Sequence, residues 1–122
     1  MSDAKPLISP TDMVPATRRE GDAVVASVYG DVDLHNSPEL RGALLELLHK
    51  AKPRKLVLNL RDVPYMDSSG IAVLVEALGL MRRGGGKIYL TNLQSRVRSI
   101  LEIARLNTIF VLSDDEATAL AK

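Results

Sequence analysis

The hydrophobic pattern begins with two short runs that predict strands. Residues 13–19 form a weak strand candidate, and apolar side chains alternate along residues 23–29. The intervening Glu20-Gly21-Asp22 suits a tight turn. The pattern therefore predicts an antiparallel hairpin at the start of the fold.

Apolar residues with helical spacing predict a first helix after Asn36. Asn36 suits the cap, Pro38 the first turn and Glu39 the positive end of the helix dipole. The apolar stripe of this helix consists of Leu40, Ala43, Leu44, Leu47 and Leu48. Pro53 prevents the helix from continuing, and residues 55–60 form a short apolar run that suits a central strand.

A second stripe with helical spacing follows Gly70. Its members are Ile71, Leu74, Val75, Leu78 and Met81. The β-branched residues inside it leave a strand open as an alternative, but its length favours a helix, which Gly84-Gly85-Gly86 would end.

The rest of the chain continues the alternation of strand and helix. Residues 87–91 suit a strand, and a third helical stripe consists of Val97, Ile100, Leu101 and Ala104. Residues 108–112 suit a short last strand, and Ser113 followed by Glu116 has the pattern of a capping box that opens a final helix. This alternation predicts an α/β fold with a mostly parallel sheet, right-handed crossovers and an antiparallel edge supplied by the hairpin.

Length and composition predict one domain. The chain has 122 residues, of which 46% are hydrophobic and 25% charged, as in an ordinary globular domain. Residues 1–11 are polar and contain two prolines, so we expect a flexible arm there and a domain over residues 12–122.

The charge balance argues against nucleic acid as a partner. Sixteen basic and 15 acidic side chains give a net charge of +1. This charge is too small to produce the long-range positive field that holds a phosphate backbone. One basic cluster consists of Lys50, Lys52, Arg54 and Lys55. We interpret this cluster as a solvated connection between a helix and the next strand.

Several kinds of chemistry find no support in the sequence. Without cysteine there is no disulfide, thiolate metal site or redox motif, and His35 and His49 do not form a ligand cluster. A strand is predicted directly after Gly84-Gly85-Gly86, which does not suit a phosphate-binding loop, and no dinucleotide fingerprint is present. No metal and no cofactor are therefore predicted.

Nothing in the pattern predicts export or membrane insertion. Residues 1–10 lack the apolar segment that follows a basic start in a signal peptide. The most apolar stretch, residues 71–81, is well short of the roughly 20 residues of a spanning helix. A cytoplasmic location is expected, and the absence of cysteine is compatible with it.

The segment Tyr65-Met66-Asp67-Ser68-Ser69-Gly70 has the composition of a helix N-terminus. Asp67 or a serine can cap free backbone N–H groups, and Ser68 would lie on an exposed turn where the helix dipole favours negative charge. A phosphate on Ser68 would therefore be tolerated locally. From the pattern alone, a simple capped turn takes precedence over any functional interpretation.

Met66-Asp67-Ser68-Ser69-Gly70, followed by Ile71, resembles the signature of the anti-sigma-factor antagonists, a bacterial group within the STAS family. Gly30-Asp31-Val32-Asp33 is similar to the Gly-Glu-Leu-Asp segment of that family. Residues 56–60 with Asp62 resemble its central strand and acidic loop, and Gly84-Gly85-Gly86 lies where the family has a glycine turn before a strand. The resemblance covers about residues 12–120.

This resemblance implies a fold, a partner and a switch. The family fold is a small, mostly parallel sheet with an N-terminal antiparallel hairpin and about four helices packed largely on one face. The family partner is an anti-sigma factor with serine kinase activity, which the unphosphorylated antagonist binds, so that the sigma factor is released. Phosphorylation at the position of Ser68 breaks the complex, a phosphoserine phosphatase would reverse the modification, and no enzymatic activity is implied. The residues expected to bind the partner are Asp33, Asn36, Tyr65, Met66, Asp67, Ser68, Ser69 and Gly70.

Some positions depart from the family pattern or allow two interpretations. Asp31 stands where the family has glutamate, Pro64 precedes the signature, and the N-terminal arm is longer. These departures concern the identity of the partner more than the fold. Asp33 matches an acidic position near the acceptor serine and is nominated as a docking or phosphorylation-assisting residue, but a turn residue before the first helix is equally consistent with the sequence.

Two other functions are consistent with parts of the sequence. A STAS domain can serve as a non-phosphorylated subunit that docks on a transporter, for instance in lipid trafficking. A serine hydrolase would need a base beside Ser68, and His35 could be close to it. However, the Gly-x-Ser-x-Gly elbow is absent, and no third orienting residue can be assigned. The complete Asp67-Ser68-Ser69-Gly70 signature favours the phosphorylation switch.

Overall fold

The computed structural model describes residues 6–122. Its strands are β1 (Ala16–Glu20), β2 (Ala23–Tyr29), β3 (Lys55–Asp62), β4 (Lys87–Thr91) and β5 (Val111–Ser113). Its helices are α1 (Ser37–Ala51), α2 (Ser68–Arg83), α3 (Ser95–Ile103) and α4 (Glu116–Ala121). Strands and helices alternate along the chain after the first hairpin, as the sequence predicts.

One sheet contains all five strands of the described residues in the order β1-β2-β3-β4-β5. β1 and β2 are antiparallel, and the remaining pairs are parallel. Gly21 in the hairpin turn has φ +61°, a conformation that glycine adopts without steric cost. The predicted α/β fold, with a mostly parallel sheet and an N-terminal hairpin, is confirmed.

The two faces of the sheet are covered unequally. Successive side chains of a strand point to opposite faces. Leu56 and Leu58 of β3 therefore belong to the main core, which also contains buried residues of α1, α2 and α3. Val57 belongs to a smaller cluster with Ala119 of α4 on the other face. Three of the four helices within residues 6–122 thus share one face, as predicted.

Lys55 holds α4 against the second face. Its Nζ donates to the carbonyl oxygens of Ala119 at 2.9 Å and Leu120 at 3.2 Å, at the helix end where the dipole attracts a cation. The same Nζ lies 4.7 Å from the centre of the Tyr89 ring. Of the basic cluster assigned to a solvated connection, Lys55 is therefore an exception with a packing role.

β1 begins at Ala16, and the prediction of a strand from Met13 is wrong at this end. A turn precedes β1, because the Thr11 hydroxyl accepts a hydrogen bond from Val14 N at 2.9 Å. Pro15 follows and has no N–H to pair with a strand. Met13 and Val14 are instead buried in the main core.

The predicted division into an arm of residues 1–11 and a domain of residues 12–122 stays a prediction. Residues 1–5 of that arm lie outside the described residues. Ile8 is buried in the main core, and Leu7 N donates to the Thr17 hydroxyl at 2.9 Å.

The helix predicted after Gly70 is confirmed over the strand alternative, but two of its details differ. α2 already begins at Ser68, two residues before Gly70. Val75, expected in the apolar stripe, is 40% exposed. A helix turns about 100° per residue, so Val75 lies beyond the edge of the face that Leu74 and Leu78 bury.

Two predicted boundaries near the C-terminus are wrong. β5 starts at Val111 and not at residue 108, because the Leu106 carbonyl accepts hydrogen bonds from Ile109 N at 3.2 Å and Phe110 N at 3.3 Å and so holds a turn. α4 starts at Glu116 with Asp115 as its cap. The predicted Ser113 capping box is therefore absent.

The third helix is shorter than its predicted stripe. α3 ends at Ile103, and Ala104 is its C-cap and is exposed. Val97 and Leu101 are the buried members of the stripe.

Candidate functional site

Asp67 caps the N-terminus of α2. Its Oδ1 accepts hydrogen bonds from Ser69 N at 2.8 Å, from the Ser69 hydroxyl at 2.5 Å and from Gly70 N at 3.4 Å. Ser68 is the first residue of the helix, and it is exposed. The predicted capped helix start with an exposed Ser68 is thus what the structure contains.

The loop after β2 lies directly beside this helix start. Val32 N donates to the Tyr65 carbonyl at 2.9 Å, and Asp67 N donates to the Val32 carbonyl at 3.0 Å. Val32 and Met66 form an isolated parallel bridge and are both buried. Since β2 and β3 are parallel neighbours, their carboxyl ends meet at one edge of the sheet, the edge at which open α/β sheets commonly bind ligands.

Gly70 allows the close approach between the helix and this loop. A β-carbon on Gly70 would lie 2.5 Å from Met66 Cγ and 2.8 Å from Val32 Cγ1. Both distances are shorter than packed atoms adopt. The glycine of the predicted signature therefore has a packing reason that is independent of any partner.

Asp33 and Asn36 interlock within the loop before α1. Asp33 Oδ1 accepts from His35 N at 2.9 Å and from Asn36 N at 3.2 Å. Asn36 Oδ1 accepts from Asp33 N at 2.9 Å, and Asn36 Nδ2 donates to the Asp31 carbonyl at 2.8 Å. The amide of Asn36 is thus committed to the loop and not to capping α1, which corrects the sequence prediction. Of the two roles considered for Asp33, its contacts show the turn role, because its carboxylate accepts hydrogen bonds from the backbone of the loop before α1.

Leu34 was missed by the sequence analysis. The residue is 77% exposed, and its backbone N donates to Asp67 Oδ2 at 3.2 Å. Asp67 therefore links the loop after β2 to the start of α2 with its two carboxylate oxygens. The sequence does contain a sign of this exposure, because Leu34 belongs to none of the apolar stripes that were predicted to be buried.

The start of α3, which follows β4, completes the same edge of the sheet. The guanidinium carbon of Arg96 lies 5.2 Å from the centre of the Tyr65 ring, within the range of a cation–π interaction. Gln94 Nε2 donates to the Arg61 carbonyl at 2.7 Å. Arg96 and Gln94 were not expected at the site, since their sequence neighbourhood carries no motif.

Hydrogen bonds keep the Asp67 carboxylate ionised. The Ser69 hydroxyl is the main cause that lowers the pKa of Asp67, and the backbone N–H groups of Ser69, Gly70 and Leu34 add to it, against a smaller opposing effect of burial. The site therefore presents an ionised carboxylate next to an exposed hydroxyl.

Within residues 6–122, no group of three His, Asp or Glu side chains is placed to hold a metal ion.

The edge of the sheet thus brings together all the residues predicted to bind a partner. They are Asp33, Asn36, Tyr65, Met66, Asp67, Ser68, Ser69 and Gly70. Met66 and Gly70 are buried beneath the site surface, whereas Ser68 is exposed.

Among the described helices, none combines the length and the apolar character needed to cross a bilayer.

Comparisons with known proteins identify the family to which this chain is similar. The model of the STAS domain family matches residues 14–119. The anti-sigma-B factor antagonist of Bacillus subtilis (strain 168) is 31% identical over 100 residues, which are 82% of this chain and 89% of that protein.

Two solved structures illustrate the shared fold. An anti-sigma factor antagonist from Mycobacterium paratuberculosis superposes with a TM-score of 0.79 at 22% identity, over 93% of this chain and 97% of the other. The Bacillus cell fate determinant SpoIIAA in its phosphorylated form superposes with a TM-score of 0.64 at 19% identity, over 87% of this chain and 97% of the other. The family model and the Bacillus subtilis relative confirm the predicted family, and the chain therefore belongs to the STAS domain family.

Proposed function

We propose that the chain is an anti-sigma factor antagonist that acts as a phosphorylation-controlled partner switch. Its unphosphorylated form binds an anti-sigma factor with serine kinase activity, and the sigma factor is released. Phosphorylation of Ser68 breaks this complex, and a phosphoserine phosphatase restores the binding form. The kinase partner binds the ATP, and this chain supplies the acceptor hydroxyl.

The position of Ser68 is the observation that carries this proposal. Ser68 is exposed at the first residue of α2. The neighbouring Ser69 is only partly exposed, and its hydroxyl donates to Asp67 at 2.5 Å. A kinase can therefore reach the hydroxyl of Ser68, while the hydroxyl of Ser69 is engaged within the site.

Electrostatics supply a reason why phosphorylation would release a partner. A phosphate adds a charge of about −1.5 to −2 at neutral pH. The start of a helix favours negative charge, but the N–H groups of Ser69 and Gly70 already donate to Asp67. The added charge would remain largely uncompensated beside an ionised carboxylate, which disfavours any surface that fits the neutral hydroxyl.

The relatives support the same function. The Bacillus subtilis protein is an anti-sigma-B factor antagonist, and it matches most of both chains. SpoIIAA, which shares the fold, is known in a phosphorylated form. These relatives motivate a search for an anti-sigma factor as the partner and for a phosphate at the start of α2.

Mass spectrometry of the intact protein tests the proposal. The purified chain is incubated with ATP and lysate of its native host, and its modified peptides are then mapped. We expect one phosphoryl group on Ser68 and none on the Ser68→Ala variant. Ser95→Ala is a matched control, because Ser95 is also an exposed first residue of a helix, and it should leave the modification unchanged.

A binding experiment then tests whether phosphorylation of Ser68 also releases the partner. The unphosphorylated chain should retain the kinase on an affinity column, and the phosphorylated chain should not. Absence of phosphate on Ser68, together with stable retention on a membrane transporter complex, would contradict the switch and favour the transporter-subunit alternative. Turnover of a generic ester that Ser68→Ala abolishes would instead favour a hydrolase.

A further inference from the structure

Leu34 is an apolar side chain displayed beside the proposed phosphorylation site. It is 77% exposed, although transfer of an apolar side chain out of water is favourable. Its backbone N–H donates to Asp67 Oδ2 at 3.2 Å, and Ser68 is the next residue after Asp67. Leu34 therefore lies at the edge of the Ser68 surface and not on a remote loop.

The backbone around Leu34 is held in place before any partner arrives. On one side, Asp33 N donates to Asn36 Oδ1 at 2.9 Å, and on the other, His35 N donates to Asp33 Oδ1 at 2.9 Å. Leu34 N itself is tied to α2 through Asp67. A side chain on an already ordered loop loses less conformational entropy on binding, which is a property of interface anchors.

We infer that Leu34 is the apolar anchor through which this chain docks on its partner, and that the partner presents an apolar pocket to receive it. This inference rests on the proposed function, since the partner in question is the anti-sigma factor with serine kinase activity. Apolar anchors that fill a pocket near the centre of an interface supply much of its binding energy. Asp67 acts as a positioning residue, because it fixes the backbone of Leu34 relative to Ser68.

An anchor at this position also explains how phosphorylation opposes docking. Seating Leu34 in a pocket removes water from the adjacent Ser68. A neutral hydroxyl tolerates this removal far better than a phosphate dianion, which needs compensating partners when it is desolvated. The Asp67 carboxylate tolerates it in both states, because four hydrogen bonds from Ser69, Gly70 and Leu34 already satisfy its oxygens.

A competition assay with the kinase activity of the host lysate tests the inference. The wild-type chain is the substrate, phosphate transfer to Ser68 is the readout, and the non-phosphorylatable Ser68→Ala chain is the competitor. We expect the combination of Ser68→Ala with Leu34→Ala to require roughly tenfold or more protein for the same inhibition. Leu34→Met, which keeps the apolar volume, should restore most of the competition.

Ile103→Ala supplies the matched control. Ile103 is 82% exposed at the last residue of α3, about 12 Å along the helix from its start. Combined with Ser68→Ala, it should compete as well as Ser68→Ala alone. Thermal unfolding of each competitor, which we expect to be unchanged for these exposed sites, separates lost docking from lost fold.

The outcomes distinguish this inference from the function on which it rests. If the lysate does not phosphorylate the wild-type chain on Ser68, the proposed function and the anchor are both overturned. If Ser68 is phosphorylated but Leu34→Ala competes as well as its parent, or if Ile103→Ala loses as much competition, the anchor alone is overturned.

Discussion

Asn59, in the central strand β3, donates a hydrogen bond of 2.7 Å to Glu116 at the start of α4. Asn59 is buried on the sheet face that α4 covers, and Glu116 also forms an ion pair of 2.9 Å with Arg18 of β1. Burial alone would raise the pKa of Glu116, but these hydrogen bonds and the charges of Arg18 and Arg61 outweigh it and lower the pKa. One carboxylate therefore joins α4 to two strands.

Removing this carboxylate should destabilise the fold. In Glu116→Ala the buried amide of Asn59 loses its acceptor, and we expect the free energy of unfolding to fall by about 1–2 kcal/mol. Urea denaturation measures the difference. Glu46→Ala is the control, because the Glu46–Lys50 pair is exposed and lies within one helix, where such a pair contributes about 0.3–0.5 kcal/mol. Equal losses in the two variants would contradict the role given to Glu116.

Gly70→Ala should be costly, whereas Gly79→Ala on the same helix should not. The new β-carbon at residue 70 would meet Met66 and Val32 at 2.5 and 2.8 Å, and such overpacking costs about 1–3 kcal/mol. A β-carbon on Gly79 would meet nothing within 4 Å, so alanine there should stabilise α2 by about 0.5–1 kcal/mol. Denaturation of the two variants against the wild type measures both effects, and a stable Gly70→Ala would show that the loop has room to move.

Stability at acid pH should depend on Asp67. Folding lowers the pKa of Asp67 below its ordinary value of 3.8, so the folded state favours the ionised carboxylate. The resulting stability is fully present above the ordinary value and is lost as the pH falls through the lowered pKa. In Asp67→Asn, where asparagine still caps the helix, the free energy of unfolding should fall less steeply below about pH 4. Parallel slopes for the two proteins would contradict this assignment.

Separate substitutions of Ser68 and Ser69 should distinguish the serine that receives the phosphate from the serine that donates a hydrogen bond to Asp67. Ser69→Ala removes the hydroxyl that is the main cause of the lowered pKa of Asp67, so we expect this pKa to rise toward its ordinary value in an NMR titration. Ser68 should still receive the phosphate in this variant, because its own hydroxyl is untouched. Loss of the phosphate from Ser69→Ala together with its persistence in Ser68→Ala would assign the acceptor to Ser69.

The order and kind of most elements could be predicted because the hydrophobic periods are local. Leu40, Leu44 and Leu47 recur at helical spacing, and each is buried in α1. The predicted ends of helices and strands were less accurate, because they depend on hydrogen bonds that the hydrophobic pattern does not encode. Ser113 and Glu116 have the spacing of a capping box, but Glu116 binds Asn59, which is 57 residues away in the sequence.

The sequence by itself determined the fold class and the capped helix start with Ser68, because strand and helix periods and short caps are properties of neighbouring residues. The family came from the resemblance of its motifs to a known signature. Only the tertiary structure decided that Leu34 lies beside Ser68, since the contact runs through Asp67, 33 residues away. It likewise decided that Val75 is exposed and that Lys55 holds α4. In each case, packing between distant segments determined which side chains are buried and which remain available to a partner.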